Sequence, residues 1–333
     1  MYSKLKSKIF IPGPEEDIFC ESLPFTQKGN LLSLTEFYEL KLLKIDLYYE
    51  EEKDWEGIFF YKNIEGFNYI FSGGRFGYAG FFSSNPKKQI VDYLSSIERN
   101  LINLNVATCS LTTSYLADPY SNKSSWNSTP ISYLVANSKH SVNNEGLSFR
   151  KAIIRSNLSR NLKKAYKNEL YCQEFFDSDI LSQWHEKCHV PRISELNGNL
   201  WDLELLESLM KNGTGSILSV FNSSRQMIGG CFILKSSTTL EIFMMSTTRE
   251  NQKLGVNHLI AEKIYLLANE NSIEYINWQA SNPPDSPLVR FKKEWNTEEK
   301  SFQILSKNWK KDLDVRFIED NFRDCFIFPF NKI

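Results

Sequence analysis

The sequence predicts an α/β (α+β) protein of two domains, and three observations carry that expectation. At 333 residues the chain is longer than one ordinary hydrophobic core supports. Short runs rich in β-branched and aromatic residues alternate with longer runs of helical apolar spacing. Aromatic residues make up 14% of the chain, as expected where strands pack on helices.

Residues 43–49, 57–61 and 67–71 read as strands. Gly73, Gly74, Gly77 and Gly80 then mark a turn-rich crossing. Behind the start signal Ser84-Asn85-Pro86, the residues Ile90, Val91, Leu94, Ile97 and Leu101 recur at helical spacing, which predicts a helix over 86–104. A strand over 106–111 follows. Residues 120–130 read as a polar surface loop, 131–135 as a strand, and 138–145 as a polar bridge suited to a linker. Next comes a basic helix over 149–168, with Ile153, Leu158, Leu162, Ala165 and Tyr166 as its apolar face. The rest is more regular. A strand over 170–175 precedes helices over 180–189 and 200–211. A hairpin of 215–221 and 226–235 closes at Asn222-Ser223-Ser224-Arg225. A strand over 240–246, a long helix over 256–270, and strands over 275–279 and 301–305 complete the order.

Composition narrows the function. A formal net charge of −1 argues against general polyanion binding, and so against DNA. The six cysteines are scattered without a CxxC pair, which in a chain this long implies free thiols in a reducing compartment. No segment approaches the roughly 20 apolar residues that span a bilayer, and no signal peptide is visible. The expectation is a soluble cytoplasmic protein without a membrane span.

The chemistry concentrates between Arg249 and Asn296. The turn Gln252-Lys253-Leu254-Gly255-Val256-Asn257 opens the long helix. A glycine-bearing turn at a helix start presents unpaired N–H groups, a seat for a pyrophosphate. Downstream lies Phe291-Lys292, ahead of Trp295-Asn296.

These residues carry a family resemblance. The basic helix with Arg160-Asn161-Leu162-Lys163-Lys164-Ala165 behind strand 131–135 is one piece, and the hairpin through Ile228-Gly229-Gly230-Cys231-Phe232 a second. The turn at Gly255-Val256-Asn257 and the Phe291-Lys292 pair complete the set. Together they resemble the FemABX and FemAB-like branch of the GNAT superfamily of N-acyltransferases. The match covers the last half of the chain, and the first half by layout alone.

The resemblance implies tandem GNAT-like domains, each a mixed, mostly antiparallel twisted sheet flanked by helices. Residues 1–145 would form a degenerate N-terminal copy and 146–307 the acyltransferase domain, with 308–333 a tail returning to the first domain. It implies an acyl-CoA co-substrate, acetyl or longer, its pyrophosphate held by Gln252, Leu254, Gly255, Val256 and Asn257, with no metal. Lys292 would set a cation near the reacting carbonyl, where it stabilises charge that develops in the transition state. Two positions depart from the pattern. Asn257 and Asn296 stand where smaller residues are usual, although asparagine tolerates positive φ next best after glycine.

Glu241 stands out as a charge inside the apolar run Leu240 to Met245, and a carboxylate there could take the proton of an attacking amine. Arg75, between the glycines of Gly74 to Gly80, and Arg192 and Arg290 are candidates for an anionic acceptor. His185-Glu186-Lys187-Cys188-His189 spells H-E-x-x-H, the metalloprotease signature. Lys187 breaks its apolar spacing and Pro191 is expected to end the helix, so it is read as an ordinary helix. The leading expectation is transfer of an acyl group from acyl-CoA to an amine. The acceptor would be an amino sugar or amino acid in cell-envelope or surface-polysaccharide synthesis. One alternative is an aminoacyl-tRNA-dependent, peptidoglycan-type aminoacyltransferase, since that branch keeps the fold without a working phosphate turn. The other is a non-catalytic pseudo-transferase acting as a binding module.

Overall fold

A computed structural model of the chain describes residues 4–10, 28–49, 52–71, 80–83, 91–112, 125–138, 142–143, 146–147, 157–198, 200–212, 214–280 and 286–322. The described residues fall into two units. One takes the chain up to 132 together with the part from 300 onward, and the other takes 133–299.

The first unit opens with β1 (Lys4–Phe10), α1 (Lys28–Phe37), β2 (Lys41–Tyr49), β3 (Glu52–Ile64) and β4 (Phe67–Phe71). After β5 (Gly80–Ser83) come α2 (Val91–Asn103) and β6 (Val106–Thr112). Strands β1 to β4 form an antiparallel ladder, with β5 on β3, and β6 joins parallel to β4. A parallel step needs a crossover, and α2 supplies it. Its Tyr93, Leu94, Ile97 and Leu101 are buried against Leu43, Ile45, Leu47, Phe59 and Ile70.

β7 (Asn127–Asn137) starts in the first unit and ends in the second, followed by the short pair β8 (Val142–Asn143) and β9 (Gly146–Leu147). The second unit continues with α3 (Asn157–Lys167), β10 (Tyr171–Phe175) and α4 (Ser178–Trp184), a π turn at His185–His189, then α5 (Val190–Glu195) and α6 (Leu203–Lys211). Next are β11 (Gly215–Phe221), β12 (Met227–Lys235), β13 (Thr239–Thr247), α7 (Val256–Glu270), β14 (Tyr275–Ala280) and α8 (Pro287–Lys293). β15 (Glu298–Asn308) and α9 (Val315–Phe322) close the described chain, and β15 pairs with β6.

Strands β10 to β13 again run antiparallel, and β14 again adds in parallel, here across α7, with β7 on its far side. The two faces of this sheet are set by adjacent glycines on β12. A Cβ on Gly229 would meet Val256 of α7 at 2.7 Å, and one on Gly230 would meet Trp184 of α4 at 2.6 Å. Helices therefore close on both faces where the sheet is bare. Leu158, Leu162 and Ala165 of α3 share the α7-side core with Ile260, Ile264 and Tyr265.

Four local expectations need correction. Asn127 to Pro130 belong to β7, not to a loop. Tyr166 is 49% exposed, not part of the apolar face of α3, and its hydroxyl instead donates to Glu262. Pro191 does not end the helical run. The π turn shifts the bonding so that Val190 N–H reaches His185 C=O, and Pro191 then falls in the first turn of α5, where its missing N–H is harmless. Residues 287–293 and 315–322 are helical, where neither had been expected to be. Arg75 and its neighbouring glycines up to Gly77 lie outside the described residues, as does the onset of the 86–104 helix.

Candidate functional site

The turn before α7 is built by the chain it precedes. Residues 252–254 form one 3₁₀ turn, and Gly255 then takes φ +86° as the helix cap. Only glycine suits this position twice over. The φ is left-handed, and a Cβ would collide with the carbonyl oxygen of Asn161 on α3. Gln252 reaches back to Thr247 C=O at 3.5 Å, Leu254 packs on the core, and Val256 is fully buried. The Asn257 side chain is already engaged, its Oδ1 accepting from the Thr247 hydroxyl at the end of β13. As the N-cap residue, Gly255 offers no side chain to the first turn of α7.

From this turn a polar link leads to α8. His258 lies 3.3 Å from Asn161 and 3.6 Å from the Glu294 carboxylate, and its ring sits 5.0 Å from Phe291. Burial pushes its pKa below the ordinary histidine value, against the opposing pull of Glu294. Beneath it, Trp278, Trp295 and Tyr265 pack together, with the Trp278 indole N–H donating to the Tyr265 hydroxyl at 3.2 Å. Ser286 caps α8 by accepting from Val289 N–H at 3.2 Å, and Pro287 fits its first turn. Gly255 and Lys292 thus belong to one connected cluster.

Lys292 is 7% exposed, and its ammonium donates to the carbonyls of Trp278 and Gln279, the latter at 3.2 Å. Burial pushes its pKa down to about 7. Asn296 has φ +54°, the conformation for which asparagine is the natural second choice.

Glu241 is fully buried on β13, in register with Asn277 of β14. Its Oε2 accepts from the Gln279 side chain at 2.6 Å. The ladder between β13 and β14 covers Thr239 to Glu241 and Tyr275 to Asn277 and then stops. β13 runs on to Thr247, and β14 turns through a register shift between Asn277 and Ala280. The two strands therefore part immediately beyond Glu241, with the start of α7 tied to the far end of β13. Where they part, Gln279 bridges the two groups, its side chain bonded to Glu241 and its carbonyl to Lys292. This parting has no local sequence signal, because it depends on a pairing across the whole of α7.

Arg192 pairs with Glu195 at 3.0 Å on α5, and Arg290 is exposed on α8. His185 contacts Trp201 C=O at 2.8 Å, and His189 contacts the Ser246 hydroxyl at 3.0 Å, so both engage the fold. Among the described residues no group of three or more His, Cys, Asp or Glu could hold a metal ion.

Comparison with solved structures fixes the architecture. The chain matches FemX with a TM-score of 0.59 at 10% identity, over 81% of this chain and 89% of FemX. It matches L-PGS from Bacillus licheniformis with 0.54 at 10% identity, over 96% and 99%. A tandem GNAT protein from the clavulanic acid biosynthesis pathway matches with 0.51 at 9% identity, over 93% and 100%. The chain has the tandem GNAT fold. No protein-family model matches its sequence, and no curated protein does either.

Proposed function

We propose that the second unit transfers an acyl group from acyl-CoA to an amine by direct attack. The observation that carries this reading is the fully buried Glu241 at the point where β13 and β14 part, with Lys292 bonded to the end of β14. The amine nitrogen attacks the thioester carbonyl carbon, the C=O electron pair moves to oxygen, and the nitrogen gives a proton to Glu241. The oxygen's pair then re-forms C=O as the C–S bond breaks with its pair on sulfur. Lys292, charged at that moment, offsets the developing negative charge and protonates the thiolate, and the proton held by Glu241 is exchanged through solvent to restore both groups. An amine with a pKa near 7 exchanges protons at neutral pH with little driving-force penalty. Gln252, Leu254, Gly255, Val256 and Asn257 are assigned to the pyrophosphate, and Arg192 and Arg290 to anionic parts of an amino-sugar or amino-acid acceptor. The setting would be cytoplasmic envelope or surface-polysaccharide synthesis.

A second reading, an aminoacyl-tRNA donor, draws support from the Asn257 side chain, whose Oδ1 is already taken by the Thr247 hydroxyl rather than left for a ligand at the turn. Thermal shift separates the readings, because a ligand at 100 times its Kd stabilises by about 2.7 kcal/mol. Stabilisation by acetyl- or longer acyl-CoA supports the first, and by alanyl-tRNA alone the second. Silence with every donor would sink both and leave a non-catalytic binding module.

A further inference from the structure

The second unit buries a donor that the fold itself does not use. Asn277 is fully buried on β14, in register with Glu241. Its neighbours Ile276 and Trp278 belong to the α7-side core, so strand alternation puts Asn277 on the other face, as Ile242 puts Glu241. The Asn277 Oδ1 accepts from the Gln279 backbone N–H at 2.9 Å, which fixes the amide with its nitrogen as the unengaged end. Among the described residues, Asn277 Nδ2 has no hydrogen-bond partner. A buried N–H left unpaired costs about 1–3 kcal/mol, and among the buried polar atoms left unpaired in the described residues this one belongs to the residue in register with Glu241.

Gln279 explains how the donor is held. It has φ +64°, uncommon outside glycine, within the register shift of β14. Its backbone N–H holds Asn277, its side-chain amide holds Glu241 at 2.6 Å, and its carbonyl accepts from Lys292 at 3.2 Å. One residue in a costly conformation therefore orients an amide donor and a carboxylate on two adjacent strands, where those strands separate.

We propose that Asn277 Nδ2 is a catalytic hydrogen-bond donor to the carbonyl oxygen of the activated acyl group, an assignment that rests on the acyl-transfer reading above. As the amine attacks, the C=O electron pair moves onto that oxygen and the N–H···O bond strengthens. On collapse the pair returns to re-form C=O, and the bond to the leaving sulfur, or to the ester oxygen of an aminoacyl donor, breaks with its electrons. A donor already fixed by Gln279 needs no reorganisation during the reaction.

The test is Asn277→Ser in the full chain. A serine hydroxyl can accept the same N–H two residues on, but it lacks Nδ2. With acetyl-CoA or alanyl-tRNA as donor, kcat should fall about 10²–10³-fold, as on loss of an oxyanion donor. KM should change little, and Tm should hold or rise, since an unsatisfied donor has been removed. Unchanged kcat overturns the assignment, and so does a fall in kcat accompanied by a lowered Tm. Glu241→Gln, assayed beside it, separates the failures. If the wild type turns over neither donor, the acyl-transfer reading itself is wrong, and if both variants are fully active the reaction does not use the β13–β14 site. If Glu241→Gln is dead while Asn277→Ser is active, only the Asn277 role falls.

A readout without turnover uses protein labelled with ¹⁵N at asparagine side chains, the Asn277 signal being the one lost in Asn277→Ser. A shift of that signal on adding either donor supports the proposal and tells thioester from aminoacyl ester. Shifts of other asparagines without it overturn the proposal, and no shift with either donor removes it together with the reading it rests on.

Discussion

The two units repeat one plan and treat its centre in opposite ways. Each has four antiparallel strands and a fifth added in parallel through a helix, β1 to β4 with β6 in the first and β10 to β13 with β14 in the second. In the first unit β4 pairs with β6 from Asn68 through Phe71, and the face away from α2 carries Tyr69 and Phe71. Phe322 of α9 packs on them at 5.1 and 4.6 Å. In the second unit the matching strands part after three residues. The face away from α7 carries Glu241 and Asn277 where the first has aromatic rings. A shared topology thus yields an aromatic core in one copy and a buried polar pair in the other. The difference lies in a few side chains at the parallel step.

The sharpest break of this comparison is catalytic. Glu241→Gln should lower turnover about 10²–10⁴-fold, the usual worth of a positioned acid or base. In the first unit, Phe322→Ala should cost about 3–5 kcal/mol of stability, because it empties a fully buried aromatic site. It should leave kcat unchanged when assayed below the lowered Tm. Chemical denaturation and steady-state rates on both variants check the pair. Loss of kcat in the Phe322 variant would mean that the first unit shares in the chemistry.

Sequence periodicity recovered most of the second unit. The helix expected over 256–270 is α7 residue for residue, and the hairpin turns where Asn222 to Arg225 announced it. Short elements were lost. β1 and α1 went unread, and so did α8, although Ser286-Pro287 is a legible helix start. At the site, Glu241 was conspicuous because a charge interrupts an apolar strand. Asn277 and Gln279 were not, because polar residues alternating with Ile276 and Trp278 look like the solvent side of an ordinary strand. Their burial follows from pairing with β13 and from the bend at Gln279, both products of distant contacts. The connection of Gly255 to Lys292 through His258 and Glu294 was invisible for the same reason.

Titration sharpens the contrast next. Burial lowers Lys292 to about 7 in the folded chain, whereas an unfolded lysine titrates near 10.4. Between those values the unfolded state binds the extra proton, so stability should rise with pH from about 7 toward 10, by up to about 1.4 kcal/mol per pH unit. Below pH 7 both states are charged, and the term is constant. Lys292→Met should flatten that rise in urea unfolding curves. A wild-type slope that survives the substitution would show that Lys292 is not held in a desolvating site.

The smallest expected effect falls on the acid side and again on the second unit alone. All four histidines of the chain fall at positions 140 to 258, within the part of the sequence assigned to that unit. His189 is 1% exposed, stacks on Trp184, contacts the Ser246 hydroxyl and lies 5.4 Å from the His185 ring. Burial first, then His185, push its pKa down to about 4, so the folded ring stays neutral where an unfolded histidine would charge. As pH falls from about 6.5 to 4 the unfolded state gains a proton that the native state refuses, and stability is lost across that window. His189→Gln keeps a polar group for Ser246 but cannot titrate. Its unfolding free energy should therefore lose less than the wild type's between pH 6.5 and 4.5, with His258 contributing equally to both. Identical acid profiles would mean that the His189 ring takes up its proton without leaving the fold, and that the stacking on Trp184 tolerates a charge.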